Sequence, residues 1–318
     1  DTVTGGTNGN DSVTINTSTG AHGITNLAIT TGTGTDTVTV IGALTVSGNI
    51  NIGSQNIAVN NTLTAGATSS VTLNAGTGAI TTSGTGIDVV AQDLSATATT
   101  GIDLDTTVLN ITATNSGTGN INIDETNGAN VLNVSAATGS ATVTTATGGL
   151  NVTTVSASTS VTLTATTGNI TDANAGASNI TAASLTATAQ TGIDLDTTIA
   201  TLTSASVTGT GAIDISDTAG GLVVTSATTN DGPITLNAIG GDLTLTTVTA
   251  GGTANITATT TTSGNILVGN VTATSDTITL TAVGAIDELG TDAGSDISAS
   301  ILLLTAGTGI GGLAQLEI

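Results

Sequence analysis

The segment Leu94-Ser95-Ala96-Thr97-Ala98-Thr99-Thr100-Gly101-Ile102-Asp103-Leu104-Asp105-Thr106-Thr107 decides how this chain reads. It holds two alternating runs, Leu94 to Ala98 and Ile102 to Thr106, with a glycine corner between them. Period two is the signature of a strand with one buried face. Nearly the same segment returns 91 residues later, from Leu185 to Thr198, with Gly192 at the corner and Asp194 and Asp196 for Asp103 and Asp105. A strand–corner–strand unit that recurs at a fixed spacing marks a repeat architecture.

Outward from this segment the same alternation fills the chain. It appears as Val38-Thr39-Val40, Ile50-Asn51-Ile52, Ile121-Asn122-Ile123, Val161-Thr162-Leu163, Ile234-Thr235-Leu236 and Ile278-Thr279-Leu280. Many runs are introduced by glycine, as in Gly48-Asn49-Ile50, Gly119-Asn120-Ile121, Gly241-Asp242-Leu243 and Gly264-Asn265-Ile266. Glycine supplies the positive φ that a corner needs. Run starts fall about ten residues apart at Ile121, Val131, Ala141, Leu150, Val161, Ile170 and Ile180. Two runs make a coil of roughly 20 residues, so the chain holds about 16 coils. The fold class expected is all-β, a parallel β-helix (β-solenoid), taken as right-handed. It is read as one continuous domain over 1–318, with degenerate super-repeats at about 70–157, 160–273 and 277–318. Tandem immunoglobulin-like β-sandwiches are the rival, but they use longer strands and a buried aromatic residue.

Composition narrows the function. The 318 residues include no Lys, Arg, Cys, Met, Phe, Tyr or Trp, one His (His22), one Pro (Pro233) and 43 Gly. Without cations the chain has nothing to neutralise phosphate, so nucleic-acid binding and polybasic membrane attachment are excluded. Aromatic platforms for sugars or bases, cysteine nucleophiles and thiolate metal sites are excluded too. The net charge of −22 comes from only 7% charged residues, scattered along an aliphatic-rich chain, which argues for folding rather than an acidic disordered tail. The longest aliphatic run, Ile301-Leu302-Leu303-Leu304, is far short of a membrane span, so no membrane insertion is expected. With no initiator Met and no leader, the chain reads as a mature or excised piece of a longer product. A thick core is hard to pack without large side chains, whereas a thin core lined by Val, Ile and Leu is not.

The phrase Ser160-Val161-Thr162-Leu163, a spacer, Gly168-Asn169-Ile170, then Leu185-Thr186-Ala187-Thr188-Ala189 and Thr191-Gly192-Ile193 resembles the repeat region of filamentous-haemagglutinin-type adhesins. It is also similar to giant secreted β-strand-repeat proteins of bacteria. The resemblance runs from about Val38 onward and is one of style rather than of a site motif. It implies a right-handed parallel β-helix at the cell surface or in the matrix. That family's Arg-Gly-Asp cell-binding tripeptide is impossible here because Arg is absent.

Several groups are candidate sites. Gly6-Thr7-Asn8-Gly9-Asn10-Asp11 and Gly32-Thr33-Gly34-Thr35-Asp36 resemble calcium-binding nonapeptide repeats, although Asp11 and Asp36 stand 25 residues apart. The plainer reading is a Gly-Asp turn before a strand. Asp103 and Asp105 alternate with Ile102 and Leu104, so both carboxylates are expected to face outward, as are Asp194 and Asp196. They read as a solvated, charge-repelling face, with calcium as the other reading. Asp124, Glu125, Asp214, Asp217, Asp287 and Glu288 read as weaker versions of the same case. His22 reads as a turn residue, and Pro233 as the opening of a strand. Thr-rich tracts at Thr162 to Thr166, Thr244 to Thr246 and Thr277 to Thr281 could order water and bind ice, but they fall on differing coil positions. Exposed strand threonines with stacked hydroxyls are the simpler account.

The expected function is that of a non-enzymatic structural protein of the extracellular surface or matrix. It would need no cofactor, although calcium could bind, and it would form stiff, protease-resistant filaments. Asp1 to Thr4 and Leu313 to Ile318 already read as coil, so neither end shows a polar cap, and self-association into a homopolymer by head-to-tail strand addition is expected. The alternatives are an adhesin stalk with a host-cell or matrix partner, and an ice-binding solenoid.

Overall fold

A computed structural model describes residues 2–5, 8–17, 23–218, 220–291, 293–312 and 315–318. His22, Gly6 and Thr7 of the first nonapeptide-like match, and Asp1, Leu313 and Ala314 of the terminal segments lie outside the described residues. The fold is an all-β parallel β-solenoid of about 14 turns. The chain divides into two compact units, residues 1–159 and 160–318.

In the first unit one ladder runs through Ser70–Ala75, Asp93–Ala98, Asn110–Asn115, Ala129–Ala136 and Leu150–Ala157, each strand parallel to the next. A second ladder runs through Ile102–Thr107, Ile121–Glu125 and Ala141–Thr145. The second unit repeats the plan, with Ser160–Ala165, Ser184–Ala189 and Thr201–Thr210 on one ladder. Its other ladder holds Ile193–Thr198, Ile213–Asp217, Ile234–Ile239 and Ile256–Thr261. Register partners on successive coils lie between 17 residues apart, as for Asp93 and Asn110, and 26 apart, as for Val271 and Ile297. The long coils exceed the expected 20 or so because loops such as 82–88 and 173–179 bulge from the strand path, which accounts for 14 turns rather than 16.

Alternation sets what is inside. Val71, Leu94, Ile111 and Leu132 stack as register partners, and each is 2% exposed or less. Leu73, Ala96, Ala113 and Val134 form the neighbouring inner file. Burying an aliphatic side chain in such a file contributes about 1.5–3 kcal/mol. The ten-residue spacing misplaces one member: Val131 is exposed and Leu132 is fully buried, because the register shifts between Ala129 and Leu132. Pro233 stands immediately before Ile234–Ile239, where it lacks only an amide while its carbonyl accepts the Ile213 N–H at 3.0 Å.

The corners have their own chemistry. Gly101 and Gly192, the corners of the two matching segments, have φ of 131° and 143°, which disfavours any side chain. The Asn after a corner glycine has a role that spacing alone did not reveal. Its Oδ1 accepts a backbone N–H from the next coil: Asn49 from Ser70 at 2.9 Å, Asn120 from Ser140 at 3.0 Å and Asn265 from Ala285 at 2.8 Å. Asp242 does the same for Asn265 at 2.7 Å. These amides lie at the start of the strand path, three of the four bonds at exposed positions, so each fixes the approach of the next coil and contributes about 0.5–1.5 kcal/mol.

Candidate functional site

The second ladder carries the carboxylates. In Ile102–Thr107 the aliphatics Ile102 and Leu104 are buried, Asp103 is exposed and Asp105 is half-buried. The strand Ile193–Thr198 repeats this with Asp194 and Asp196. Parallel register then sets acid beside acid. Asp105 faces Asp124 on the next coil, and Asp194 faces Asp214, at the spacing of about 4.8 Å between strands. Asp103 instead faces Asn122, whose Nδ2 donates to its Oδ1 at 2.8 Å. Partial burial pushes the Asp105 carboxyl above the usual range, and the charges of Asp124 and Asp103 push it further. Burial and neighbouring aspartates raise Asp194, Asp196 and Asp214 in the same way.

A loop lies against each of these strands and brings residues that alternation did not single out. In the first unit Asp88 is 1% exposed, and its Oδ2 accepts the Asp105 N–H at 2.8 Å. Its Oδ1 accepts the Thr82 hydroxyl at 2.9 Å, and its own N–H donates to the Asp105 carbonyl at 2.7 Å. Burial raises Asp88 to about 6, against the hydrogen bonds from Asp105 and Thr82 and with the help of the Asp105 and Asp103 charges. In the second unit Asn179 stands where Asp88 stood. Its Oδ1 accepts the Asp196 N–H at 2.8 Å, and its Nδ2 donates to Asp172 Oδ1 at 2.8 Å. Burial opposes ionisation of Asp172, but donation from Asn179, Asn174 and Ala175 outweighs it and holds that carboxyl below its usual value. The signal for these loop residues was in the super-repeat: Thr82 and Asp172 follow Ile80-Thr81 and Ile170-Thr171, and Asp88 and Asn179 precede Val89 and Ile180.

Four of the carboxylates grouped with the outward face are buried instead. Glu125 is 2% exposed and Asp217 is fully buried. Glu125 Oε2 accepts the Thr106 hydroxyl at 2.6 Å and the Val108 N–H at 3.1 Å, and Oε1 accepts the Asn127 N–H at 3.1 Å. Asp217 Oδ1 accepts the Thr197 hydroxyl and the Ile199 N–H, both at 2.9 Å. Each therefore closes the turn of the preceding coil. Burial raises Glu125 despite these donors. Asp287 and Glu288 are also buried, at 2% and 6% exposure, while Asp124 and Asp214 are exposed.

Asp11 and Asp36, 25 residues apart in sequence, are neighbours on adjacent coils. The Asp11 N–H donates to Asp36 Oδ1 at 2.8 Å, and the Asp36 N–H donates to Gln55 Oε1 at 3.3 Å on the coil beyond. Asp36 is fully buried and its Oδ2 has no hydrogen-bond partner. Oxygen-rich, cation-free pairs of this kind match hard divalent ions rather than soft ones.

The outward hydroxyls also line up. In the second unit Thr164, Thr188, Ser206, Thr228, Thr249 and Thr272 are successive register partners. Thr162, Thr186 and Ser204 form a parallel file two residues away. Thr97, Thr114, Ser135 and Ser156 do the same in the first unit, where Ser156 Oγ donates to Ser135 Oγ at 3.2 Å. Thr162 to Thr166 and Thr244 to Thr246 lie on one ladder and Thr277 to Thr281 on the other, and Thr162 and Thr164 each belong to an in-register file.

A scan against protein-family models finds no match for this chain, and searches among curated proteins and solved structures find none either.

Proposed function

We propose that this chain is a non-enzymatic structural protein of the extracellular surface or matrix, whose coils extend into stiff filaments by strand addition. The in-register parallel ladder carries this reading. Stacked aliphatics fill the inside, small neutral hydroxyl and amide side chains cover much of the outside, and backbone amides are bonded from coil to coil. The strand Ile297–Ala306 pairs with Ile266–Ala282 and presents Ile301 and Leu303 at 55% and 53% exposure. Exposed apolar strand edges recruit further strands. Electron microscopy of the purified chain tests the reading. Fibres of uniform width support it, and their loss in Ile301→Lys with Leu303→Lys places the contact. Separate monomers at high concentration would overturn it. The likeness to filamentous-haemagglutinin-type adhesins supports a variant of the same reading, a stalk that carries attachment, which cell binding by the chain alone would favour. Calcium at Asp11 and Asp36 or on the aspartate ladders would stiffen either form, and an unchanged melting temperature in chelator removes that element.

A second reading, ice binding, draws on the hydroxyl files. Their spacing is about 4.8 Å between coils and about 6.8 Å along the strand, a regular two-dimensional array of hydroxyl and methyl groups. Thermal hysteresis that disappears in Thr188→Lys with Thr228→Lys would favour it. Freezing behaviour like that of an inert protein excludes it.

A further inference from the structure

The loop that lies over the acidic strands occurs a third time, and there its chemistry changes. In the first copy Thr82 meets Asp88, and in the second Asp172 meets Asn179, so each pair sets one carboxylate against a neutral partner. In the third copy Glu288, at the end of Ala285–Glu288, takes the first position, and Asp296, just before Ile297–Ala306, takes the second. Asp296 Oδ2 accepts the Glu317 N–H at 2.9 Å, and the Asp296 N–H donates to the Glu317 carbonyl at 2.9 Å. That is the two-way bond Asp88 makes with Asp105, so Glu317 occupies the place of Asp105 and Asp196. Both loop partners are now acids, and Glu317 adds a third: one carboxylate oxygen from each lies within 4.8 Å of the others.

Burial makes this arrangement costly without a counter-ion. Glu288 and Asp296 are only 6% and 4% exposed. Glu317 is half-exposed as a residue, but its Oε2 atom has under 1 Å² accessible and no hydrogen-bond partner. The chain has no Lys or Arg to offset the charge. Three carboxylates supply as many as six hard oxygens, within the range of calcium coordination. We propose that Glu288, Asp296 and Glu317 form a binding site for a divalent cation of the calcium type. The site stands on its own side chains and does not depend on the filament reading.

The sister loops supply the test variant. Asp296→Asn restores the residue type of Asn179, and Glu288→Thr that of Thr82, so the loop already accommodates both substitutions elsewhere in the chain. The full chain, stripped with EDTA, is titrated with calcium chloride by calorimetry and melted with and without calcium. The expected result is saturable binding with a higher melting temperature in calcium, and at least a tenfold loss of affinity at one site in the double variant. Absence of calcium-dependent heat and of any melting shift at pH 7 would overturn the proposal. Binding in the double variant equal to that of the parent chain would do so as well, since other acidic pairs would then account for it. If the double variant loses its β circular-dichroism signal, Glu317→Gln gives the readout instead, and unchanged binding in that variant counts against the site.

Discussion

At the scale of single residues, the informative side chains are the acids that sit inside. In Ile121-Asn122-Ile123-Asp124-Glu125 strict alternation places Glu125 with Ile121 and Ile123, and in Ile213-Asp214-Ile215-Ser216-Asp217 it places Asp217 with Ile213 and Ile215. Parity was therefore legible in the sequence. The partners were not, because the Val108 and Ile199 amides belong to the preceding coil and meet these acids only once the coils stack. Outward placement of Asp103, Asp105, Asp194 and Asp196 needed parity alone, and the structure places them so. Asp217→Ala removes the acceptor for both the Ile199 N–H and the Thr197 hydroxyl. The buried Ile199 N–H is left unpaired and the Thr197 hydroxyl keeps only the Ser216 carbonyl at 3.5 Å, with an expected destabilisation of about 1–3 kcal/mol, measurable by chemical denaturation. A loss below about 0.5 kcal/mol, typical of surface substitutions, would show that water replaces the carboxylate.

At the scale of the element, the coil is defined by its corners. Repeated Gly-x-Ile triplets made the corners readable, but the closeness of stacked corners belongs to the three-dimensional register. A Cβ on Gly264, whose φ is 116°, would lie 1.8 Å from the Gly241 carbonyl oxygen, and one on Gly241 would lie 1.8 Å from that of Gly220. These glycines let one backbone rest on the next. Gly264→Ala must push two coils apart as well as strain its own φ, with an expected cost of about 2 kcal/mol or more. Hydrogen exchange should show faster exchange at the Leu243 and Gly284 amides, which bond to the Asn265 and Gly264 carbonyls. Unchanged exchange at both would mean that the corner absorbs the methyl group. The Val131 discrepancy belongs to this scale too: a register shift between Ala129 and Leu132 turns the chain by one position, and a period of ten cannot register it.

At the scale of the whole molecule, an acidic chain without basic residues titrates against the usual trend. Asp88, Asp105, Glu125, Asp194, Asp196, Asp214 and Glu317 all have carboxyls raised in the folded state, Asp88 to about 6 from 3.8. Through that window the folded protein holds more protons than the unfolded chain, so stability falls as pH rises from about 4 to 6. Asp172, with its carboxyl lowered, works in the opposite direction. The melting temperature without added calcium should therefore be higher at pH 5 than at pH 7. Asp88→Asn should flatten part of that slope, and it should be neutral or stabilising at pH 7 by on the order of 1 kcal/mol, because Asn179 already fills the equivalent place. A melting temperature that drops on acidification would contradict the assignment of these carboxyls as strained in their ionised form.

The asparagine clamps at the corners share one direction. In each, the side chain of the earlier coil accepts an amide from the later one: Asn49 from Ser70, Asn120 from Ser140, Asp242 from Asn265 and Asn265 from Ala285. A closed coil thus holds out an acceptor before its successor is in place, and the successor arrives with an amide that needs one. Growth of the structure has a polarity. A chain that folds coil by coil from its N-terminal side would therefore meet a ready template at every step.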